Sequence, residues 1–469
     1  MTTRRFTLAD QLAFAGLSGD NNPLHVDAVA ARRLLFGAPV VHGIHTLLWA
    51  LECGLTDTDA PLIIRSLKAV FSRPVRVGSE VGLRTTIIGE HQARMEIMTA
   101  DGPATTIDFS WESGPPPQSI AITDARPVQH PPDDLGEQDI AGKSGALDLR
   151  LPRADAARMF PRLTSLLSAA DLATLLATTR LVGVECPGLH SVYSELWLNA
   201  VEGESESVLR YNVTRCERRM VWMDVIAPRF TGGIRSLVRP TFRGQGSYAL
   251  HKESVDSTEF RGQRALIVGG SRGLGETAAK FLAAGGAEVR ITYTRGRDDA
   301  EQIVTDITGG GGTAASLPLD VTAPPDGLTD GLNGWQPTHL YYFATPYIAA
   351  GSRGRFSAEV FDRFCRFYVT GFQSLVEILV PGGLRGVYYP STVFVEELPA
   401  DMAEYATAKQ AGETLCAILA KTHRDLTIHC PRLPKLTTDQ TQSIIPTRTA
   451  AAGPVILEHL RQLRDATRT

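Results

Sequence analysis

Ala265-Leu-Ile-Val268-Gly269-Gly-Ser-Arg-Gly273-Leu-Gly275 is a short apolar run that breaks into glycines and opens into a helix-forming segment, residues 276–284. A run of this kind bounded by turn residues reads as a buried parallel strand. The glycines permit a tight turn and let the backbone approach a pyrophosphate at the helix N-terminus. Glycines alone say little, but between a strand and a helix they carry weight. A second strand is expected at 288–293, and Arg295 stands twenty residues past Gly275 with no acid beside it. A carboxylate there would hold the ribose hydroxyls of NAD, whereas an arginine accommodates a 2′-phosphate. Arg272 supplies a second cation for that phosphate. The expected cofactor is NADP(H), held by Gly269, Ser271, Arg272, Gly273, Leu274, Gly275 and Arg295.

Downstream, Asp320-Val321 follows the apolar run 314–319, where a carboxylate can meet the adenine, and residues 340–344 close the next strand. Tyr405 and Lys409 in Tyr405-Ala-Thr-Ala-Lys409 are i and i+4, so on a helix they share a face. Ser391 ends the preceding strand, 384–390. A phenol flanked by a fixed cation can have its pKa lowered and exchange a proton with a carbonyl substrate. Tyr-x-x-x-Lys also arises by chance in many helices, so its weight comes from the glycine loop upstream.

Together these motifs resemble the short-chain dehydrogenase/reductases over residues 262–469. The resemblance implies that Tyr405 exchanges the proton, Lys409 lowers its pKa and binds the nicotinamide ribose, and Ser391 orients the carbonyl; Thr437 or Thr438 would contact the nicotinamide amide. Phe343-Ala-Thr-Pro replaces the family's Asn-Asn-Ala-Gly, and Tyr368 stands where its relay asparagine is expected. Pro431-Arg432 replaces Pro-Gly, and a helix at 454–464 takes the place of the customary final strand. These departures bear on the proton relay and on the family's tetramer contacts.

The first block, residues 1–115, begins with an amphipathic segment. It continues into Leu17-Ser-Gly-Asp20-Asn-Asn-Pro-Leu-His25-Val-Asp27, a turn-rich loop carrying both an acid and an imidazole. In Val40-Val-His42-Gly43 the glycine exposes a backbone N–H at the start of a helix, 44–53, where an oxyanion could be received. Strand patterns follow at 63–71, 81–88 and 95–99. The loop, the His-Gly step and Phe71-Ser-Arg-Pro-Val-Arg-Val-Gly78 resemble the hot-dog fold of MaoC-like (R)-specific enoyl-CoA hydratases and dehydratases. The resemblance implies that Asp20 and His25 do acid–base work on a thioester's α-carbon and β-hydroxyl, and that the Gly43 N–H polarises its carbonyl. The bland alternative is a braced turn, and bracing or packing is the expected role of His42 and His45.

Residues 116–150 read as a linker or crossing loop. In 151–245, Leu189-His-Ser-Val-Tyr-Ser-Glu-Leu-Trp-Leu echoes the 63–71 strand, and a second, non-catalytic hot-dog repeat is expected, followed by a linker at 246–261. The whole is thus expected to be an α+β double hot-dog region followed by an α/β Rossmann-type reductase domain.

The net charge of −4 gives no footprint for nucleic acid, and six scattered cysteines show no metal-ligand spacing, so no metal is expected. The opening residues lack a signal-peptide pattern and no run is long enough to span a membrane, which points to a cytoplasmic protein, expected as a homodimer. Both halves would act on the same two carbons of an acyl thioester carried on CoA or an acyl carrier protein. The expected activity is NADPH-dependent 3-oxoacyl-thioester reduction followed by (R)-3-hydroxyacyl dehydration. The alternatives are the degradative direction, enoyl hydration then oxidation; an acyl-binding or scaffold protein with a degenerate reductase half; and a reductase half that takes a sugar or cyclic ketone.

Overall fold

The structure is a computed structural model describing residues 2–55, 60–114, 120–202, 206–241, 244–323, 328, 331–349, 354–438, 441 and 448–468. The chain divides into two compact units, residues 1–241 and, apart from 443–445, residues 242–469.

The first unit is built on one antiparallel sheet. Its strands are β1 (Thr2–Arg5), β2 (Leu62–Phe71), β3 (Glu80–Gly89), β4 (Gln92–Thr99), β5 (Gly102–Ser113), β6 (Ser144–Asp148), β7 (Ser191–Ala200), β8 (Val208–Glu217), β9 (Met220–Ala227) and β10 (Phe230–Val238). They are ordered β1-β3-β4-β5-β2-β7-β10-β9-β8-β6. The order is palindromic about the β2–β7 pair, which runs from Ser66 opposite Asn199 to Val70 opposite Glu195. The first half packs on the helix Gly43–Gly54, its counterpart in the second half being Ala169–Arg180, and both helices are largely buried. Two hot-dog halves thus share one sheet and one apolar core.

The palindrome corrects the linker expected at 116–150. Residues 115–119 lie outside the described residues, but 144–148 form the edge strand β6, paired with β8 and matching β1 in the first half. The second repeat therefore starts before residue 151. A five-residue edge strand of small and polar residues, Ser-Gly-Ala-Leu-Asp, buries only Leu147 and leaves no clear periodic signal.

In the second half Asp171 is fully buried on its helix and paired with Arg229 at 3.1 Å. Burial raises the Asp171 carboxyl to about 6 even with the guanidinium beside it. Removing one partner of a buried pair leaves an uncompensated charge. Arg229→Met is expected to destabilise this unit by about 3–5 kcal/mol at pH 7.5. Without the cation the carboxyl protonates more readily, so the loss measured by urea unfolding should shrink at pH 5.

The second unit has a six-stranded parallel sheet: β11 (Arg264–Val268), β12 (Glu288–Tyr293), β13 (Thr313–Pro318), β14 (His339–Tyr342), β15 (Gly386–Tyr388) and, beyond the two-residue strand β16 (Ser391–Thr392), β17 (Thr427–His429). Its order, β13-β12-β11-β14-β15-β17, is the doubly wound arrangement whose ligand crevice lies at the strand C-termini. There β16 pairs with β18 (Arg432–Leu433), and the last described element is the helix Ala452–Arg468.

The segment expected as a linker at 246–261 is part of this unit. Its helix Tyr248–Lys252 packs on Gly273–Ala284, with His251 edge-on to Phe281 and the Lys280 ammonium donating to the Gly246 carbonyl at 2.6 Å. Its Gly/Ser-rich approach concealed a docked apolar tyrosine, buried in the core with Phe281.

Candidate active sites

In the first unit the helix Leu8–Ser18 stops at Gly19, whose left-handed backbone (φ 83°) turns the chain into the Asp20 loop. Asn22 caps the next turn, accepting from the Leu24 N–H at 3.1 Å, while its amide donates to the carbonyls of Gly183 (2.8 Å) and Gly188 (3.2 Å) in the second half. The loop is thereby pinned from both sides.

Asp20 is 1% exposed. Its carboxylate accepts from the Thr179 hydroxyl at 2.7 Å and from the Asn22 N–H at 3.2 Å. Burial pushes this carboxyl up, only partly opposed by His25 and the Thr179 hydrogen bond. His25 is oriented by Nδ1 against the Val40 carbonyl at 2.8 Å and stacks on His42 at 3.9 Å between ring centroids. Burial pushes the His25 imidazole down, with Asp20 pulling the other way. Donor atoms of Asp20, His25 and His42 all lie within 4.8 Å of one another.

Asp20, His25 and Gly43 line one cavity of about 180 Å³, whose far wall includes Thr179, Gly183 and Tyr193 of the second half. Gly43 begins its helix, where backbone N–H groups have no intrahelical partner. Gly183 is required by the close approach, since a Cβ there would lie 2.2 Å from Asp20 Oδ1. His42 and His45 brace and pack: His42 bridges Gln11 Oε1 (2.9 Å) and the Asp20 carbonyl (3.0 Å), and His45 stacks on Phe14 at 4.5 Å. Thr179 and Gly183 had no motif to mark them.

In the second unit the glycine loop has the shape a dinucleotide pyrophosphate needs. Gly269 (φ 81°) has no room for a side chain against Ala344, and Gly275 would carry a Cβ 2.3 Å from the Gly269 carbonyl. The twelve-residue helix Gly273–Ala284 opens at the loop, with Arg272 at its N-cap, Ser271 buried before it and Leu274 in its first turn. Arg295 is exposed just past β12. Asp320 Oδ1 accepts from the Thr322 N–H (2.9 Å) and hydroxyl (2.7 Å), with Val321 buried beside it, and Thr437 is hydrogen-bonded to Thr449 (2.9 Å) and the Ala450 carbonyl (3.2 Å). The loop therefore fits the cofactor, while Asp320 and Thr437 are already engaged within the chain.

Tyr405 and Lys409 share the helix Ala403–Thr422. The expected serine is corrected. Ser391 donates to Glu413, which is held by Arg432, so its hydroxyl is committed to a surface ion network. The hydroxyl that acts on the Tyr405 phenol, favouring its ionised form, is that of Thr392. Adjacent strand residues face opposite ways, and here the second of the pair faces the tyrosine.

The expected acidification of Tyr405 is also corrected. Burial raises its phenol to about 12, with only the Thr392 side chain acting the other way. The Lys409 ammonium donates to the Pro390 carbonyl at 2.7 Å and lies 4.1 Å and 4.9 Å from the ring centroids of Tyr368 and Tyr389. Burial lowers this amine to about 8. Tyr368, in the π-helical turn Arg366–Gly371, hydrogen-bonds Thr345 through its hydroxyl and accepts from the Tyr389 hydroxyl at 2.9 Å through its carbonyl. Lys409 is thus caged between two tyrosine rings.

Residues 2–106 match the family model of the MaoC like domain, and residues 263–332 that of the short chain dehydrogenase. The chain joins a MaoC-like hot-dog domain to a short-chain dehydrogenase domain. It is similar to the (R)-specific enoyl-CoA hydratase of Aeromonas caviae, 42% identical over 82 residues, 17% of this chain and 60% of that protein. It is also similar to the peroxisomal multifunctional enzyme type 2 of Drosophila melanogaster, 31% identical over 100 residues, 19% of this chain and 17% of that protein. The chain thus spans under two thirds of either relative. Among solved structures, an Agrobacterium tumefaciens C58 3-oxoacyl (acyl-carrier-protein) reductase with NADP bound matches with 16% identity and a TM-score of 0.40, covering 45% of this chain and 93% of that one. Among the described residues no helix is long and apolar enough to cross a membrane.

Proposed function

We propose that the chain is a bifunctional enzyme: its second unit reduces a 3-oxoacyl thioester with NADPH, and its first unit dehydrates the resulting (R)-3-hydroxyacyl thioester. The observation that carries the reading is the Asp20–His25 pair in a cavity beside Gly43, on the same chain as a glycine loop shaped for a dinucleotide. The thioester would be carried on CoA or an acyl carrier protein, in a cytoplasmic homodimer working in the synthetic direction. The 144–241 half would complete the cavity wall without chemistry of its own.

In dehydration the neutral His25 takes the α-proton, the Gly43 N–H receives the charge growing on the thioester oxygen, and the Asp20 acid protonates the departing hydroxyl. The opposed environments of the two groups, Asp20 pushed up and His25 pushed down, support this division. In reduction the bound dinucleotide supplies a hydride. Thr392 orients the substrate oxygen and Tyr405 gives it a proton. Arg295 supports the phosphorylated cofactor, since a guanidinium at the second strand's end suits a 2′-phosphate.

The test is NADPH oxidation on addition of a 3-oxoacyl thioester, and, separately, hydration of an enoyl thioester; failure of either removes that half of the reading. Within the reductase site, Thr392→Val should lower kcat by about 10²-fold, and Ser391→Ala should change it far less. The reverse ranking would restore Ser391.

A second reading is favoured by the caged Lys409: a reductase half that binds the dinucleotide and no longer turns over. A fluorescence titration that detects NADPH binding, with no oxidation across a panel of 3-oxoacyl thioesters, would support it.

A further inference from the structure

The cavity that holds Asp20, His25 and Gly43 has an open side and a closed end. Ser72, Arg73 and Pro74, all exposed, line the open side. Thr46 and Thr105, each 2% exposed, line the closed end. Thr46 sits one turn into the Gly43–Gly54 helix; its hydroxyl donates to the Gly43 carbonyl at 2.7 Å and lies 3.5 Å from that of Thr105. Thr105 belongs to β5, where it stands opposite Phe71 of β2. Among the described residues, Gly43 and Thr46 are the two of that helix on the cavity, and Ala50, next along the same face, is 0% exposed in the core. The cavity therefore follows the helix for only about 4.5 Å, three residues at 1.5 Å each.

The second half closes this space rather than extending it. Gly183 comes so near Asp20 that no Cβ fits between them, and Tyr193 stands edge-on to Phe71 at 5.2 Å between ring centroids. Phe71 in turn covers Gly43, where a Cβ would lie 3.0 Å from its ring. An apolar cavity of about 150 Å³ takes benzene, six carbons. By that measure the cavity of about 180 Å³ holds about seven non-hydrogen atoms. A thioester whose sulfur sits at the open side fills it with its carbonyl oxygen and about six acyl carbons.

We propose that the first unit takes short acyl thioesters, of about four to six carbons, and that Thr46 and Thr105 form the floor that stops a longer chain. The proposal rests on the acid–base reading of Asp20, His25 and Gly43, because that reading fixes where the thioester carbonyl and the two reacting carbons lie. The reacting carbons sit beside Asp20 and His25, so the tail beyond them points to the closed end, one helical turn below Gly43. A chain too long for this space must strain a packed wall or leave carbons in water, and overpacking of this kind costs about 10-fold to 100-fold in affinity.

The full chain is assayed for hydration of trans-2-enoyl-CoA thioesters with acyl chains of four, six, eight and twelve carbons. In parallel, binding of the matching saturated acyl-CoA thioesters is followed at the site itself, through the His25 ring resonance in protein labelled with 13C-histidine. From four to six carbons each added methylene should tighten binding, by up to about fourfold. At eight and twelve carbons both affinity and kcat/KM should fall about 10-fold to 100-fold below the six-carbon values. Thr46→Ala/Thr105→Ala removes a methyl and a hydroxyl from each floor residue and should move the optimum to eight carbons. Thr105→Val keeps the volume without the hydroxyl and should keep the limit. If the double variant does not fold, Thr105→Ala takes its place, and the wild-type profile decides by itself. Wild type that binds with this length limit yet hydrates none of the enoyl thioesters would uphold the floor and sink the acid–base reading. The proposal is overturned if the twelve-carbon thioester binds wild type as tightly as the six-carbon one, if none binds at any length, or if the alanine variant leaves the profile in place.

Discussion

Asp20→Asn is expected to slow both hydration and dehydration by about 10²–10⁴-fold, the usual worth of a positioned proton donor. The amide keeps the volume of the carboxyl and can still accept from the Thr179 hydroxyl, so the loop should stay pinned and the protein should remain as stable as wild type. Loss of a group that acts in the transition state lowers kcat and kcat/KM together, and the change in enoyl thioester absorbance reads both. The wild-type profile should be bell-shaped, because the reactive pair holds one proton between Asp20 and His25. Activity falls at low pH as His25 gains a second proton and at high pH as Asp20 loses the first. The asparagine variant should lose the alkaline limb along with most of its rate. A variant that keeps more than about a tenth of the activity would remove Asp20 from the chemistry.

Tyr405→Phe should lower NADPH-dependent reduction by a similar factor of about 10²–10⁴, with cofactor binding and the hydratase rate unchanged. The pH dependence separates the structure from the simple expectation of a lysine-acidified phenol. With burial holding the Tyr405 hydroxyl near about 12, it stays protonated across the neutral range. Reduction should therefore be nearly flat with pH up to about 9 as far as this group is concerned. Oxidation of a 3-hydroxyacyl thioester, which needs the phenolate, should rise with pH instead. A reductive rate that falls with an apparent pKa near neutrality would mean that Lys409 leaves its tyrosine cage and acts on Tyr405 when substrate and cofactor bind.

Much of both sites could be read along the chain because their parts are local. Asp20 and His25 sit on one turn with the caps that shape it, and Gly269–Gly275 sit between a strand and a helix whose periodicities announce them. What the sequence concealed depends on partners far apart or on direction within a strand. Thr179 and Gly183 reach Asp20 from about 160 residues away, across a palindromic sheet that no local pattern encodes. Choosing between Ser391 and Thr392 requires the register of a two-residue strand and a partner, Glu413, that draws one hydroxyl away. The pKa of Tyr405 turned on magnitude: the lysine is one helical turn along, but its ammonium is spent on Pro390 and two rings, so desolvation wins.

In the proposed function two sites on one chain act in succession on the same acyl carbons. The direct measurement is product analysis by mass spectrometry after the full chain is incubated with a 3-oxoacyl thioester, with and without NADPH. The 2-enoyl thioester is expected only when NADPH is present, and in Asp20→Asn accumulated 3-hydroxyacyl thioester should replace it. Recovery of the 3-oxoacyl thioester unchanged with NADPH, from a protein that still hydrates an enoyl thioester, would contradict it.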